Sequence, residues 1–213
     1  MVKLLFAPLV ALHGTVAMMA AALILLVAGC RGEPVGAKVS FVETRVDETQ
    51  SPLPFVIAFK NAGDAAVDVS GVSIAAMEGV VLPNGEVAKG AVGSIAAADC
   101  QVEMREGHPV EAPARGNGVA CGFVRWKRPD EAAPAVAVAA VRFLVTLDNG
   151  ASIETPPRIF LLSSAPEALE KYIEELSLNR ETAREALRRV ESLQGERTAP
   201  VEQLIDRLRI LSR

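Results

Sequence analysis

Apolar and polar positions divide the chain into three stretches with different periods. From Leu4 to Gly29 there is no alternation: the run has no formally charged side chain and follows a single Lys3. From Val39 to about Leu162 the period is two. Phe55, Ile57 and Phe59 alternate with Val56, Ala58 and Lys60, as in a strand with one buried face. Apolar positions recur at Val67, Val69, Val72 and Ile74 after Asn61-Ala62-Gly63-Asp64, and again over Val119–Trp126. Val136 to Leu147 predicts a long apolar strand, Asp148-Asn149-Gly150 a turn, Ile153 a return and Ile159–Leu162 a last strand. Pro83-Asn84-Gly85 is another turn signal, because Asn-Gly accepts positive φ. Short strands joined by such turns predict a mainly β fold, an immunoglobulin-like antiparallel β-sandwich over residues 39–163.

After Ser164 the period becomes helical. No Pro or Gly interrupts Glu167 to Gln194, and Ser164-Ala165-Pro166-Glu167 has the form of a capping box. Glutamates crowd the first turns and arginines the later ones, as the helix dipole favours. Glu167–Lys171 and Glu185–Arg189 have i,i+4 spacing. Leu169, Ile173, Leu176, Ala183, Leu187 and Val190 form an apolar stripe with a fault at Arg180. Gly195 ends this helix, and Thr198-Ala199-Pro200 starts a second that carries Val201, Leu204, Leu208 and Leu211. The expectation is a C-terminal α-helical hairpin over residues 164–213. Its stripe either packs on the sandwich or the sister helix, or takes a partner: an envelope protein or a second copy of the chain.

The end of the first apolar run changes the picture most. Leu26-Val27-Ala28-Gly29-Cys30 resembles the lipobox of bacterial lipoproteins. That resemblance implies a diacylglyceryl group on Cys30 and signal-peptidase recognition through Val27, Ala28 and Gly29. A cationic start, an apolar run and a small-residue end also have the layout of an export signal. Residues 1–29 then read as signal peptide and 30–38 as a lipidated tether. Acyl chains contribute about 0.8 kcal/mol per buried methylene, so two or three of them hold firmly. The competing reading is an uncleaved membrane-spanning helix with an incidental cysteine. Both put the remainder on the exported side, at the cell membrane or the outer membrane. Arg31, rather than Asp, after the cysteine favours the outer membrane under enterobacteria-like sorting.

Of three cysteines, Cys30 would take the lipid. The remaining pair in an oxidising compartment predicts a Cys100–Cys121 disulfide, with two buried free thiols as the alternative. The formal net charge of −4 becomes −5 without residues 1–29, whose sole formal charge is Lys3. An acidic surface with one Trp and one Tyr argues against nucleic acid or anionic lipid as the main partner.

Candidate chemistry is thin. His108, in Gly107-His108-Pro109, is the only histidine after the signal, because His13 lies within it. No serine sits in a Gly-x-Ser-x-Gly turn, and one His with two cysteines does not furnish a zinc site. Gly116-Asn117-Gly118 reads as a hairpin turn, and Asp64, Asp68 and Asp148 as turn residues rather than calcium ligands. No catalytic residue, metal or cofactor is expected.

Phe55-Val56-Ile57-Ala58-Phe59-Lys60-Asn61, a turn, then Val67-Asp68-Val69-Ser70-Gly71-Val72-Ser73-Ile74 resembles the late-embryogenesis-abundant type 2 (water-stress) family, which also occurs in bacterial lipoproteins. Gly85-Glu86-Val87-Ala88-Lys89-Gly90 is close to that family's glycine hairpin but one residue shorter, and the family's Asn-Pro-Asn turn is Asn61-Ala62-Gly63 here. The resemblance implies a β-sandwich without catalysis, acting in envelope stress or in binding apolar segments. The functional expectation is a lipid-anchored binding or assembly module of the envelope. Its alternatives are a stress-protective protein and, remotely, a hydrolase using His108.

Overall fold

Phe55, Ile57 and Phe59 turn inward and are buried, while Val56 and Lys60 between them face outward. That alternation belongs to β2 (Leu53–Asn61), which lies beside β1 (Val39–Val46) and β7 (Asn117–Trp126); β5 (Cys100–Met104) completes a four-stranded sheet of order β1-β2-β7-β5. The computed structural model describes residues 38–82, 93–105, 111–127, 136–163, 168–176 and 179–213, all within the compact unit Ala37–Arg213.

The second sheet is built on β3 (Val67–Leu82) and β8 (Val136–Leu147), which pair antiparallel from Val69–Leu147 to Leu82–Val136 through two register shifts. β4 (Gly93–Ala96) lies outside β3, and β10 (Arg158–Ser163) lies outside β8. β6 (Glu111–Ala112) adds to β3, β9 (Ser152–Glu154) to β8, and β11 (Glu196–Arg197) runs parallel to β10. In immunoglobulin lettering the two sheets are ABED and GFC with C′. The fold is the expected immunoglobulin-like sandwich. Its core includes the stacked rings of Phe55 and Phe143, one from each sheet, with centroids 4.9 Å apart.

Four consecutive buried residues, Val136-Ala137-Val138-Ala139, show that β8 is covered on both faces at its start. Ala137 and Ala139 join the core between the sheets; Val136 and Val138 join a second core. There Val80, Leu82, Ile159 and Leu161 meet Tyr172, Ala183, Val190, Leu204 and Leu208. The helices therefore form a third layer on the outer face of the second sheet. The apolar stripe packs on the sandwich.

The tail departs from a hairpin in that its described residues hold three helices, α1 (Ala168–Leu176), α2 (Arg180–Ser192) and α3 (Ala199–Leu211). Asn179 is the reason: its side chain accepts from the Thr182 amide at 3.2 Å and starts α2 afresh. The fault at Arg180 marks that restart. The capping box over residues 164–167 lies outside the described residues. Gly195, at φ +149°, sits where a Cβ would come 2.7 Å from the Pro157 carbonyl oxygen, which lets the chain close on β10 and form β11.

Candidate binding surface

The outward phase of β2 and β7 is apolar where alternation leads one to expect polar residues. Pro54, Val56 and Ala58 of β2 lie beside Phe123, Cys121 and Val119 of β7. A register shift between Phe41 and Glu43 leaves Val42 of β1 out at 55% exposure; Val119 is 42% and Val56 36% exposed. Among the described residues no helix covers this face, since the helical layer lies on the other sheet.

Charge borders the apolar centre on both sides. Glu43 and Arg45 of β1 flank Ala58 and Val56 and pair at 2.8 Å. Glu103 of β5 flanks Phe123 and pairs with Arg125 at 3.4 Å. Hydrogen bonding to the Arg45 guanidinium holds the Glu43 carboxyl below its usual range, so it stays ionised at neutral pH. Two shallow clefts open here. One, of about 450 Å³, is lined by Arg45, Val56, Arg105, Cys121 and Phe123 among others. The other, of about 320 Å³, is lined by Val42, Glu43, Ala58 and Val119 among others. An apolar centre with a charged rim is the anatomy of a recognition surface.

The two thiols expected to bridge are kept apart. Cys100 pairs with Trp126, whereas Cys121 lies five residues earlier on β7, opposite Arg105. Five residues of extended strand span about 17 Å, and a disulfide needs Cα atoms within about 7 Å. The side chains also face opposite ways, Cys100 into the core and Cys121 onto the outer face. Both are free thiols, so the Cys100–Cys121 bridge is corrected to two separate cysteines. The sequence count was sound; the register decides.

Cys30 and its neighbours Val27, Ala28 and Gly29 lie outside the described residues, as do His13, His108 and Gly85–Gly90. Asp64 pairs with Arg115 at 2.6 Å, and Asp148 accepts from the Asp68 amide at 3.2 Å, both within turns. Among the described residues, no group of three or more His, Cys, Asp or Glu could hold a metal, and no helix is long and apolar enough to cross a membrane.

Gly116-Asn117-Gly118 is not itself the turn. The turn closes earlier, with the Gly116 amide donating to the Pro113 carbonyl at 3.0 Å, and Asn117 and Gly118 already belong to β7. Gly118 makes room for a ring: a Cβ there would lie 2.4 Å from Phe59 Cζ. The resemblance-bearing Asn61 is fully buried and donates to the carbonyls of Ala65, Ala112 and Pro113 while accepting from the Gly63 amide. One side chain thus holds two loops at that end of the sandwich. Sequence reasoning did not single out the exposed sheet face, although the apolar outward residues Val56, Ala58 and Val119 carried the signal.

No protein-family model and no curated protein matches the chain. Among solved structures, similarity extends to the structural-genomics target SoR45, at 14% identity and TM-score 0.24 over 61% of this chain and 87% of that one. The putative ApaA protein from Bordetella pertussis is similar at 17% identity and TM-score 0.21, over 60% and 92% of the respective chains.

Proposed function

We propose that this chain is a non-enzymatic, lipid-anchored protein of the cell envelope that acts as a binding or assembly module. The observation that carries the binding role is the apolar outer face of the β1-β2-β7-β5 sheet, with Val42, Val56 and Val119 exposed inside a charged rim. The helical stripe contributes less to recognition than its sequence promised, because it is used up against the second sheet. The anchoring role rests on the Leu26–Cys30 motif and the uncharged run before it.

The test places a photo-cross-linking residue at Val56 or Val119 of the full chain in cells, and at Ile210, exposed on α3, as control. The reading expects adducts at the sheet face that Val119→Lys abolishes; adducts no stronger than at Ile210 overturn it. Cys30→Ala tests the anchor separately, because it should leave an unacylated, larger precursor. A mutant that matures to wild-type mass removes the lipid from the proposal.

The buried Asn61, which ends a strand and pins the following turn, favours a second reading, stress protection of the late-embryogenesis type. Protection of a labile enzyme through drying by the purified protein would support that reading.

A further inference from the structure

The Glu48 carboxylate crosses the seam between the sandwich and the helical layer. Glu48 lies in the β1–β2 loop, which Asp47 organises by accepting from the Thr49 backbone amide at 3.1 Å and its hydroxyl at 2.6 Å, and from the Gln50 side-chain Nε2 at 2.6 Å. The loop directs Glu48 at two donors from distant parts of the chain. Its Oε1 accepts from the Leu161 backbone N–H at 2.6 Å and from the Thr198 hydroxyl at 2.7 Å.

Each donor is otherwise left over. β11 pairs with β10 only at Arg158 and Ile159, so the Leu161 N–H lies on an edge that β11 no longer covers. Thr198 occupies the cap position of α3, yet its side chain makes no cap bond to that helix. A Thr at this position ordinarily turns its hydroxyl to the free helical amides; here it is turned to Glu48. Beside them the Arg158 guanidinium donates to the Thr44 carbonyl, tying β10 to β1 at the same place.

We propose that Glu48 is a protonation-sensitive latch that fastens the start of α3, and with it the helical layer, to the sandwich. The proposal stands on the contacts of the described unit and does not depend on the lipid anchor or on the sheet-face binding role. Burial raises the Glu48 carboxyl above its ordinary value, opposed by its hydrogen bonds from Leu161 and Thr198 and by the Arg158 charge, and reinforced by Asp47. Arg197, next to Thr198, is engaged with Glu202 and the Glu191 carbonyl. The Thr49 bonds hold Asp47 below its usual range, so the loop keeps its organiser ionised while Glu48 takes up a proton.

The sign follows. A carboxyl whose value is raised in the latched state binds its proton more tightly there than when released. The latch is at its strongest below the ordinary carboxyl range and weakens as pH rises through the raised value. Protonation fastens it; ionisation loosens it.

Amide hydrogen exchange of Val201–Leu208 in the full chain, corrected for intrinsic chemistry, is the readout. In the wild type these amides should be better protected near pH 4, below the ordinary carboxyl range, than near pH 7. Glu48→Gln, which keeps an acceptor but cannot titrate, should abolish that difference and hold the protection of the acid form at both values. Glu48→Ala should lose the pH difference as well, exchanging roughly tenfold faster than wild type in acid, the effect of about one lost hydrogen bond, and by a smaller factor at neutral pH. Thr198→Val, which removes one donor and keeps the shape, should shift exchange the same way and serves where Glu48→Ala does not fold. A Glu48→Gln protein that retains the wild-type pH dependence overturns the proposal, as do unchanged exchange rates in Thr198→Val.

Discussion

Burial pushes the Cys100 thiol up to about 11, with the Asp99 carboxylate adding to the shift and Lys127 opposing it. The thiolate is the reactive species, so Cys100 is inert at neutral pH. Its raised value contributes stability that is complete below the ordinary thiol range and is lost as pH climbs through about 11. Cys121 stands half-buried on the outer face of the sheet, lining the larger cleft together with Val56 and Phe123. Iodoacetamide near pH 8 should therefore label Cys121 in the native protein and reach Cys100 only after denaturation, as peptide mapping would read. Equal labelling of both in the native state would contradict the register that separates them. Neither sequence position distinguishes these cysteines. Strand parity, set by which residues of β5 and β7 lie opposite, gives them different surroundings.

At the scale of elements, periodicity located the strands that bury one face. β8 has the bounds that its apolar run predicts, β7 starts two residues earlier than its run, and β2 starts two residues earlier and ends one later. β3 runs on from Ile74 to Leu82; a register shift between Ile74 and Ala76 interrupts its alternation, and at Val80 and Leu82 helices cover the outer face as well. The helical tail was legible in kind but not in number. Without Pro or Gly between Glu167 and Gln194, composition alone predicts one long helix; an Asn side chain in cap geometry divides it. Asn179→Ala should lower stability by about 1 kcal/mol, the usual worth of such a cap. Urea unfolding followed by circular dichroism would measure it, and a midpoint equal to wild type would show that packing alone defines the start of α2. β11 had no sequence signal, since two residues between helices become a strand only where an edge of β10 is there to receive them.

Across the whole unit, β8 and β10 serve two cores at once, because alternate residues of one strand reach both. Phe143, Phe160 and Leu162 face the sandwich interior, while Val136, Val138, Ile159 and Leu161 face the helices. Phe143→Ala should cost about 3–5 kcal/mol and Leu204→Ala about 2–5 kcal/mol. If the cores are mechanically one, both substitutions should shift a single unfolding transition; two separated transitions would show that the helical layer melts alone. Deleting residues 196–213 would uncover Val80, Leu82, Val136 and Val138. It should add apolar-dye binding and lower the midpoint, and a truncated chain with the wild-type midpoint would refute this account of the second core.

Patterns of period two and 3.6 sufficed to determine that a β-sandwich precedes a helical tail, because burying one face of an element writes itself into local order. The buried phase at Phe55, Ile57 and Phe59, the turn at Asp148-Asn149-Gly150 and the stripe from Leu169 to Val190 are all local statements of that kind. What needed the tertiary structure involves residues far apart in the chain. Register holds Cys100 and Cys121 apart, docking of the helices on β3, β8 and β10 leaves the opposite sheet face open, and Glu48 meets Leu161 and Thr198 across more than a hundred residues. Such pairings depend on which surfaces come together, and no local period encodes them.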